Sequence, residues 1–220
     1  MTQLEADIIR PYLTEPIIVI DVGCHKGHFV DDFTHHFKAE FSIGIDPVNH
    51  NVGSKYNKYY EVAISDKGGE SKLFTYVEPE CNSLLEMKTK NVVHNKEKAG
   101  WFVAHQIEDK MEEYTVKVVR LESLLEENSL IKIDYLKIDT QGNDIKVVKS
   151  CGKFLKDIKL IQMECVSSHD KNIVLYDGQQ LMEQDIEDMD KLGFDVLNIT
   201  DYSENASPEA DIIFINRNIK

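Results

Sequence analysis

Residues 17–27 read IIVIDVGCHKG, and this stretch decides the fold. Four β-branched apolar residues, Ile17 to Ile20, run into Asp21 and then into a turn punctuated by Gly23 and Gly27. That pattern is a buried strand whose chain turns at once into a helix. Beyond Gly27, Phe29, Val30, Phe33 and Phe37 recur at helical spacing and give the helix one face to pack on a sheet. The next strand is FSIGID (41–46), with Asp46 at its tip and Pro47 placed for the first position of a following helix. YYEVAIS (59–65) reads as a third strand, stopped by the DKGGE turn.

Past ESKLFTYV (70–77), itself a strand, the pattern changes. Residues from about 78 to 113 are charged and only loosely periodic, and read as an insertion that lids an acceptor pocket; for His94, Trp101, Phe102 and His105 within it, a small satellite core is the other reading. YTVKVVRL (114–121) resumes a strand, LESLLEEN (121–128) a helical turn, and IDYLKID (133–139) a buried strand with Asp139 at its tip. Ile145, Val148 and Cys151 then mark a helix face, IKLIQME (158–164) a strand ending at Glu164, and Leu181, Met182, Ile186, Met189 and Leu192 a last helix stopped by Gly193. FDVLNI (194–199) and ADIIFIN (210–216) close the sheet. Such alternation predicts an α/β protein: a Rossmann-like, mostly parallel seven-stranded sheet with helices on both faces. One domain is expected over 1–220, with residues 1–16 as an N-terminal extension.

Composition narrows the function. The chain has 220 residues, 25 Lys and Arg against 39 Asp and Glu, and a formal net charge of −14. That excess repels a phosphate backbone, so no nucleic-acid partner is expected. No apolar run reaches the roughly 20 residues of a membrane span, and the opening MTQLEADIIRPY lacks the marks of a leader; a cytoplasmic protein with no membrane partner is expected. Cys24, Cys81, Cys151 and Cys165 are dispersed without a CxxC pair, which argues for reduced, buried thiols. The Cys24, His25, His28 group sits in a turn needed for other work, so a metal is not expected there.

In open α/β sheets the ligand lies beyond the carboxyl ends of the strands, and the first loop is the usual cradle. Here that loop begins with a carboxylate, which repels a diphosphate but attracts an ammonium and a sulfonium, while loop and helix N–H groups remain for a carboxylate. S-adenosylmethionine carries those groups. Asp21, Gly23 and Gly27 are therefore candidate cofactor residues, Asp46 is placed to accept both ribose hydroxyls, and Asp66 to accept from the adenine amino group. Phe29, Pro47 and Ile64 are expected to bind the same cofactor. Each has a plainer reading: a tight turn for the glycines, a helix cap for Asp46, a turn residue for Asp66. An NAD(P)-dependent oxidoreductase would share the fold class, yet the third glycine of a dinucleotide loop is missing and no Tyr is followed four positions on by Lys.

With these residues in place, the sequence resembles the FkbM family of S-adenosylmethionine-dependent methyltransferases. IIVIDVGCHKGHF (17–29) resembles its first motif, GIDP (44–47) its acidic-Pro motif, and AISDKGGESKLF (63–74) its Ala-x-Ser-Asp segment. More distinctive are VKVVRLESLL (116–125), DYLKIDTQGNDIKVVKSCGKFL (134–155) and IQMEC (161–165). His25, Asp46 in place of the commoner Glu, and Gln141 with Asn143 and Asp144 depart from the family pattern. The resemblance implies methylation of a hydroxyl on a small molecule such as a sugar or natural product, with a homodimer left open. A non-catalytic S-adenosylmethionine-binding domain is the alternative.

Methyl transfer is an in-line displacement, with the nucleophile about 3 Å from the methyl carbon and water excluded. A hydroxyl acceptor needs a base, or a metal that lowers its pKa. Asp139 and Glu164 end consecutive strands and, if these pair, stand at one rim with backbones ~4.8 Å apart. Two bare carboxylates there repel, which leaves three readings: a divalent metal such as Mg²⁺ between them, one carboxylate protonated and acting as acid and base, or one turned away to cap a helix. Lys137 shares the side of the strand with Asp139 and is placed to neutralise it. His169, in SSHDKN (167–172), is the third candidate for catalysis, as a base or as a solvated loop residue.

Overall fold

The computed structural model describes residues 1–88, 110–167, 174–202 and 209–219. The 17–22 run forms strand β1 (Ile17–Val22), all but one of its residues buried. It lies between β2 (Ala39–Ile45) and β7 (Ile133–Ile138), parallel to both, and β7 lies parallel to β8 (Ile158–Val166). These central strands are apolar along their length because helices cover both of their faces. With β3 (Lys58–Tyr60), β9 (Phe194–Asp201) and β10 (Glu209–Asn216) the sheet has seven strands in the order β3-β2-β1-β7-β8-β10-β9. Only β10 runs against the direction of the other six strands, so the expected mostly parallel sheet is what forms.

Two aromatic and aliphatic layers hold the helices. On one face, Ala6 and Ile9 of α1 (Gln3–Ile9) and Phe33 of α2 (His28–His36) pack with Ile17, Val19, Tyr135 and Ile213. Phe33 is the centre of that layer, with ring centroids 5.3 Å from Tyr135 and 5.0 Å from Phe37. The buried Tyr135 hydroxyl donates to Gln162 Oε1 at 2.7 Å, so the one polar atom in the layer is satisfied. On the other face, α3 (Leu121–Glu127), α4 (Asp144–Ser150) and α5 (Met182–Lys191) contribute Leu121, Leu125, Val148 and Met189. No helix among the described residues is long and apolar enough to cross a membrane.

Two expectations are corrected. No helix follows Pro47: Asp46 Oδ1 accepts the Val48 N–H at 2.8 Å, closing a local turn, and the chain next forms only a 3₁₀ turn at Gly53–Lys55. The stretch 59–65 is not one strand. It breaks at Glu61 and Val62, leaving β3 on the edge of the main sheet and β4 (Ala63–Ile64) in a second sheet of order β4-β6-β5. In that sheet β5 (Gly69–Tyr76) and β6 (Lys110–Val119) are antiparallel, from Gly69 opposite Val118 to Tyr76 opposite Lys110. The strand read from Tyr114 therefore starts at Lys110, and the insertion is the connection between two paired strands.

The strand order reverses between β1 and β7, where connections run outward in both directions. That switch point is where such sheets hold ligands. Phe33→Ala is expected to cost about 3–5 kcal/mol in urea unfolding, as a cavity between packed rings, whereas Ile131→Ala, at a residue 84% exposed, is expected within about 0.5 kcal/mol of the parent.

Candidate active site

The chains leaving β1 and β7 all but touch. Gly23 has φ +75, and a Cβ there would lie 1.7 Å from the carbonyl oxygen of Asp139. Only glycine satisfies both the left-handed backbone and the close approach. The pair is fixed by Gly23 N–H to the Ile45 carbonyl and Asp139 N–H to the Val22 carbonyl, each 2.9 Å. Beyond it opens a cavity of about 300 Å³.

On the β1 and β2 side the cavity is lined by Gly23, Phe29, Asp46, Pro47 and Ile64 of the expected cofactor residues. Asp46 is held by two backbone donors, His25 N–H on Oδ2 at 2.9 Å and Val48 N–H on Oδ1 at 2.8 Å, and each oxygen keeps a second lone pair for a ligand. Asp21 and Gly27 stand behind this surface rather than in it. Asp21 is fully buried, accepts from the Tyr56 hydroxyl at 2.7 Å through Oδ2, and its Oδ1 is without a hydrogen-bond partner. Burial pushes its carboxyl up to about 6, against the pull of Lys137 and the Tyr56 hydroxyl. Gly27, φ +70, starts α2 without a side-chain cap. Asp66 is not brought to the cavity. Its Oδ1 accepts from the Ser65 hydroxyl and its carbonyl from Arg120.

On the β7 and β8 side the cavity meets Lys137, Asp139, Gln141 and Glu164. Lys137 lies opposite Asp21 in the β1–β7 register and donates to Asp139 Oδ2 at 2.9 Å. That ammonium, with hydrogen bonds from Lys137 and Gln141, holds the Asp139 carboxyl below the usual carboxylate range despite burial. Glu164 is pushed well above it, first by burial and then by Glu209, Asp139, Asp211 and Asp144 around it. The Gln141 amide nitrogen donates to both rim carboxylates, 3.0 Å to Asp139 Oδ1 and 2.8 Å to Glu164 Oε2. Neither carboxylate is turned away to a helix. The metal reading does not fit this donor set, since an amide and an ammonium already face the oxygens a cation needs. Among the described residues no group of three or more His, Cys, Asp or Glu could hold a metal ion.

Several site residues were not read from the sequence. His25, at φ +42, turns its ring to the cavity, 4.4 Å from His50 and with Nδ1 3.6 Å from Glu80 Oε1. Burial pushes its pKa down to about 4, so the ring is neutral near pH 7. Asn143 also lines the cavity, its amide donating to the Ile64 carbonyl at 2.9 Å. Pro79 to Leu84, the start of the expected insertion, border the cavity as well. His169 and the four insertion residues His94, Trp101, Phe102 and His105 lie outside the described residues.

The site is thus a cavity at the switch point of an α/β sheet, with the loop after β1 and the Asp46 carboxylate on one side and two acids on the other. The chain belongs to the family described as Methyltransferase FkbM domain, which matches residues 21–196. The family match decides against the nicotinamide-dependent reductase. No curated relative matches the chain. Among solved structures it is similar to the Burkholderia thailandensis 1,6-didemethyltoxoflavin-N1-methyltransferase with bound 1,6-didemethyltoxoflavin and S-adenosylhomocysteine, at 9% identity, 97% of this chain, 77% of that one and a TM-score of 0.49. An S-adenosylmethionine-dependent methyltransferase from Anabaena variabilis gives 10%, 98%, 84% and 0.47, and one from Archaeoglobus fulgidus 14%, 97%, 94% and 0.43. These are distant chains, and none bears on what this protein methylates.

Gly23→Ala is expected to cost about 1–3 kcal/mol from the left-handed backbone alone, with more from the Asp139 carbonyl. Urea unfolding with a parallel titration of S-adenosylhomocysteine measures both the fold and the cradle.

Proposed function

We propose that the protein transfers the methyl group of S-adenosylmethionine to a hydroxyl of a small acceptor, a sugar or natural product, with Glu164 taking the hydroxyl proton. The observation that carries this reading is the two-sided cavity: Gly23 and Asp46 on one wall, Asp139 and Glu164 on the other. S-adenosylmethionine supplies an electrophilic methyl on a sulfonium. Asp46 offers its remaining lone pairs to the ribose hydroxyls, and the uncapped first turn of α2 offers N–H groups to the carboxylate. The neutral His25 ring places no positive charge against the sulfonium.

At the acceptor wall the two acids divide the work. Asp139, stabilised in its charged form by Lys137, is a weak base that orients. Glu164, with its proton affinity raised, is the stronger base once ionised. As the new O–CH₃ bond forms and the C–S bond breaks, the hydroxyl proton passes to Glu164 and S-adenosylhomocysteine leaves. His169, outside the described residues, keeps its expected place as an alternative base. Asp139 and Glu164 therefore act through protons and orientation, with no step assigned to Mg²⁺.

Calorimetric titration is expected to show S-adenosylhomocysteine binding and no NADH binding, with Asp46→Ala weakening the former about 10–100-fold. With hydroxylated acceptors, kcat/KM is expected to fall as pH drops through the raised Glu164 pKa, a limb lying above the ordinary carboxylate range of ~4.3. Glu164→Gln removes that limb and lowers kcat about 10²–10⁴-fold. Loss of the limb in His169→Ala instead moves the base to that loop. Cofactor binding with no methylated product from any hydroxylated sugar or metabolite would leave a binding domain and sink the enzyme reading.

A further inference from the structure

Gln141 sits where two carboxylates converge, and its surroundings leave it no freedom. Its Nε2 reaches Asp139 Oδ1 and Glu164 Oε2, one N–H for each. Its Oε1 accepts from the hydroxyl of Tyr176 at 2.9 Å, a fully buried side chain whose single proton is shared with the Cys81 carbonyl at 3.0 Å. Turned over, the amide would set Oε1 against the ionised Asp139 carboxylate, so charge decides its orientation.

The backbone is fixed as firmly. Gln141 has φ +55, a left-handed conformation that a side-chain-bearing residue holds only when its neighbours impose it. Ser83 Oγ donates to the Gln141 carbonyl at 2.7 Å, and Asp144 accepts the N–H groups of Thr140 and Gly142 on either side, at 3.2 and 3.1 Å. Ser83 and Asp144 thus fix the backbone of residues 140–142 while Tyr176 fixes the Gln141 side chain.

We propose that Gln141, turned by Tyr176, is the positioning residue of the acceptor wall: its amide takes the place of a cation between Asp139 and Glu164 and holds both carboxylates for the acceptor. An amide does this without exchanging with solvent ions and without titrating. The kinetic consequence rests on the methyltransferase reading above; the binding consequence does not.

The test is a titration of the full chain with Mn²⁺ alone, followed by electron paramagnetic resonance, beside S-adenosylhomocysteine binding and methyl-transfer kinetics. The wild type is expected to take up no Mn²⁺ up to about 1 mM, while Gln141→Glu binds it at or below that concentration and loses it again when Asp139→Asn is added. Tyr176→Phe is expected to lower kcat about tenfold or more, with the KM for S-adenosylmethionine and the affinity for S-adenosylhomocysteine unchanged. Three results overturn the proposal: wild-type uptake of Mn²⁺ that Asp139→Asn abolishes, a Gln141→Glu protein that binds S-adenosylhomocysteine yet no Mn²⁺, or an unchanged kcat in Tyr176→Phe. Failure of the wild type to bind S-adenosylhomocysteine overturns the methyltransferase reading alone, and the wild-type Mn²⁺ arm then decides the role of Gln141.

Discussion

The ammonium of Lys137 is the counter-ion on which the carboxyl end of the sheet depends. It stands opposite the buried Asp21 in register and bonded to Asp139 at the cavity wall. A single charge there is costly, and the ammonium and the Asp139 carboxylate are tolerable because they lie in contact with one another. The arrangement keeps Asp139 ionised while Asp21, deeper and with one oxygen unpartnered, is pushed toward neutrality. The different states of two similar carboxylates follow from which one the ammonium touches. Glu164, one strand further on, is buried among other acids and has no cation bonded to it among the described residues, which is why its carboxyl is pushed well above the usual range.

Much of this framework was legible because it repeats a short pattern. Apolar β-branched runs ending in an acid mark β1, β2 and β7, and the acids fall at the strand tips by construction. The glycine at 23 was legible too, although what it avoids, the Asp139 carbonyl, comes from a residue more than a hundred positions away. The failures have a common cause. Pro47 suits a helix start locally, but Asp46 spends one oxygen on the Val48 N–H and bends the chain instead. YYEVAIS has the composition of one strand, yet its two halves pair with β2 and β6 in different sheets. Local pattern reports propensity; which partner a strand finds is a tertiary fact.

Positions 25 and 141 were the least legible of all, and both are side-chain-bearing residues with positive φ at the cavity. Their neighbours fix them through bonds to the backbone: Asp46 on the His25 N–H, Ser83 on the Gln141 carbonyl. No spacing rule announces a Gln that must turn left-handed to put an amide between two acids. The signal present in the sequence was the departure from the family pattern at those two sites, which marks where to look without saying what is built there.

The second sheet fixes how one side of the cavity can change. Tyr76 and Lys110 are paired across β5 and β6, so the chain between them begins and ends at one fixed place, and its first residues, Pro79 to Leu84, border the cavity. Doubling the length of a connection so anchored costs only about 0.6 kcal/mol in closure entropy. The connection can therefore be lengthened, shortened or exchanged at little cost to the fold, altering what borders that side of the cavity, while Gly23, Asp46 and the sheet beneath them keep their places.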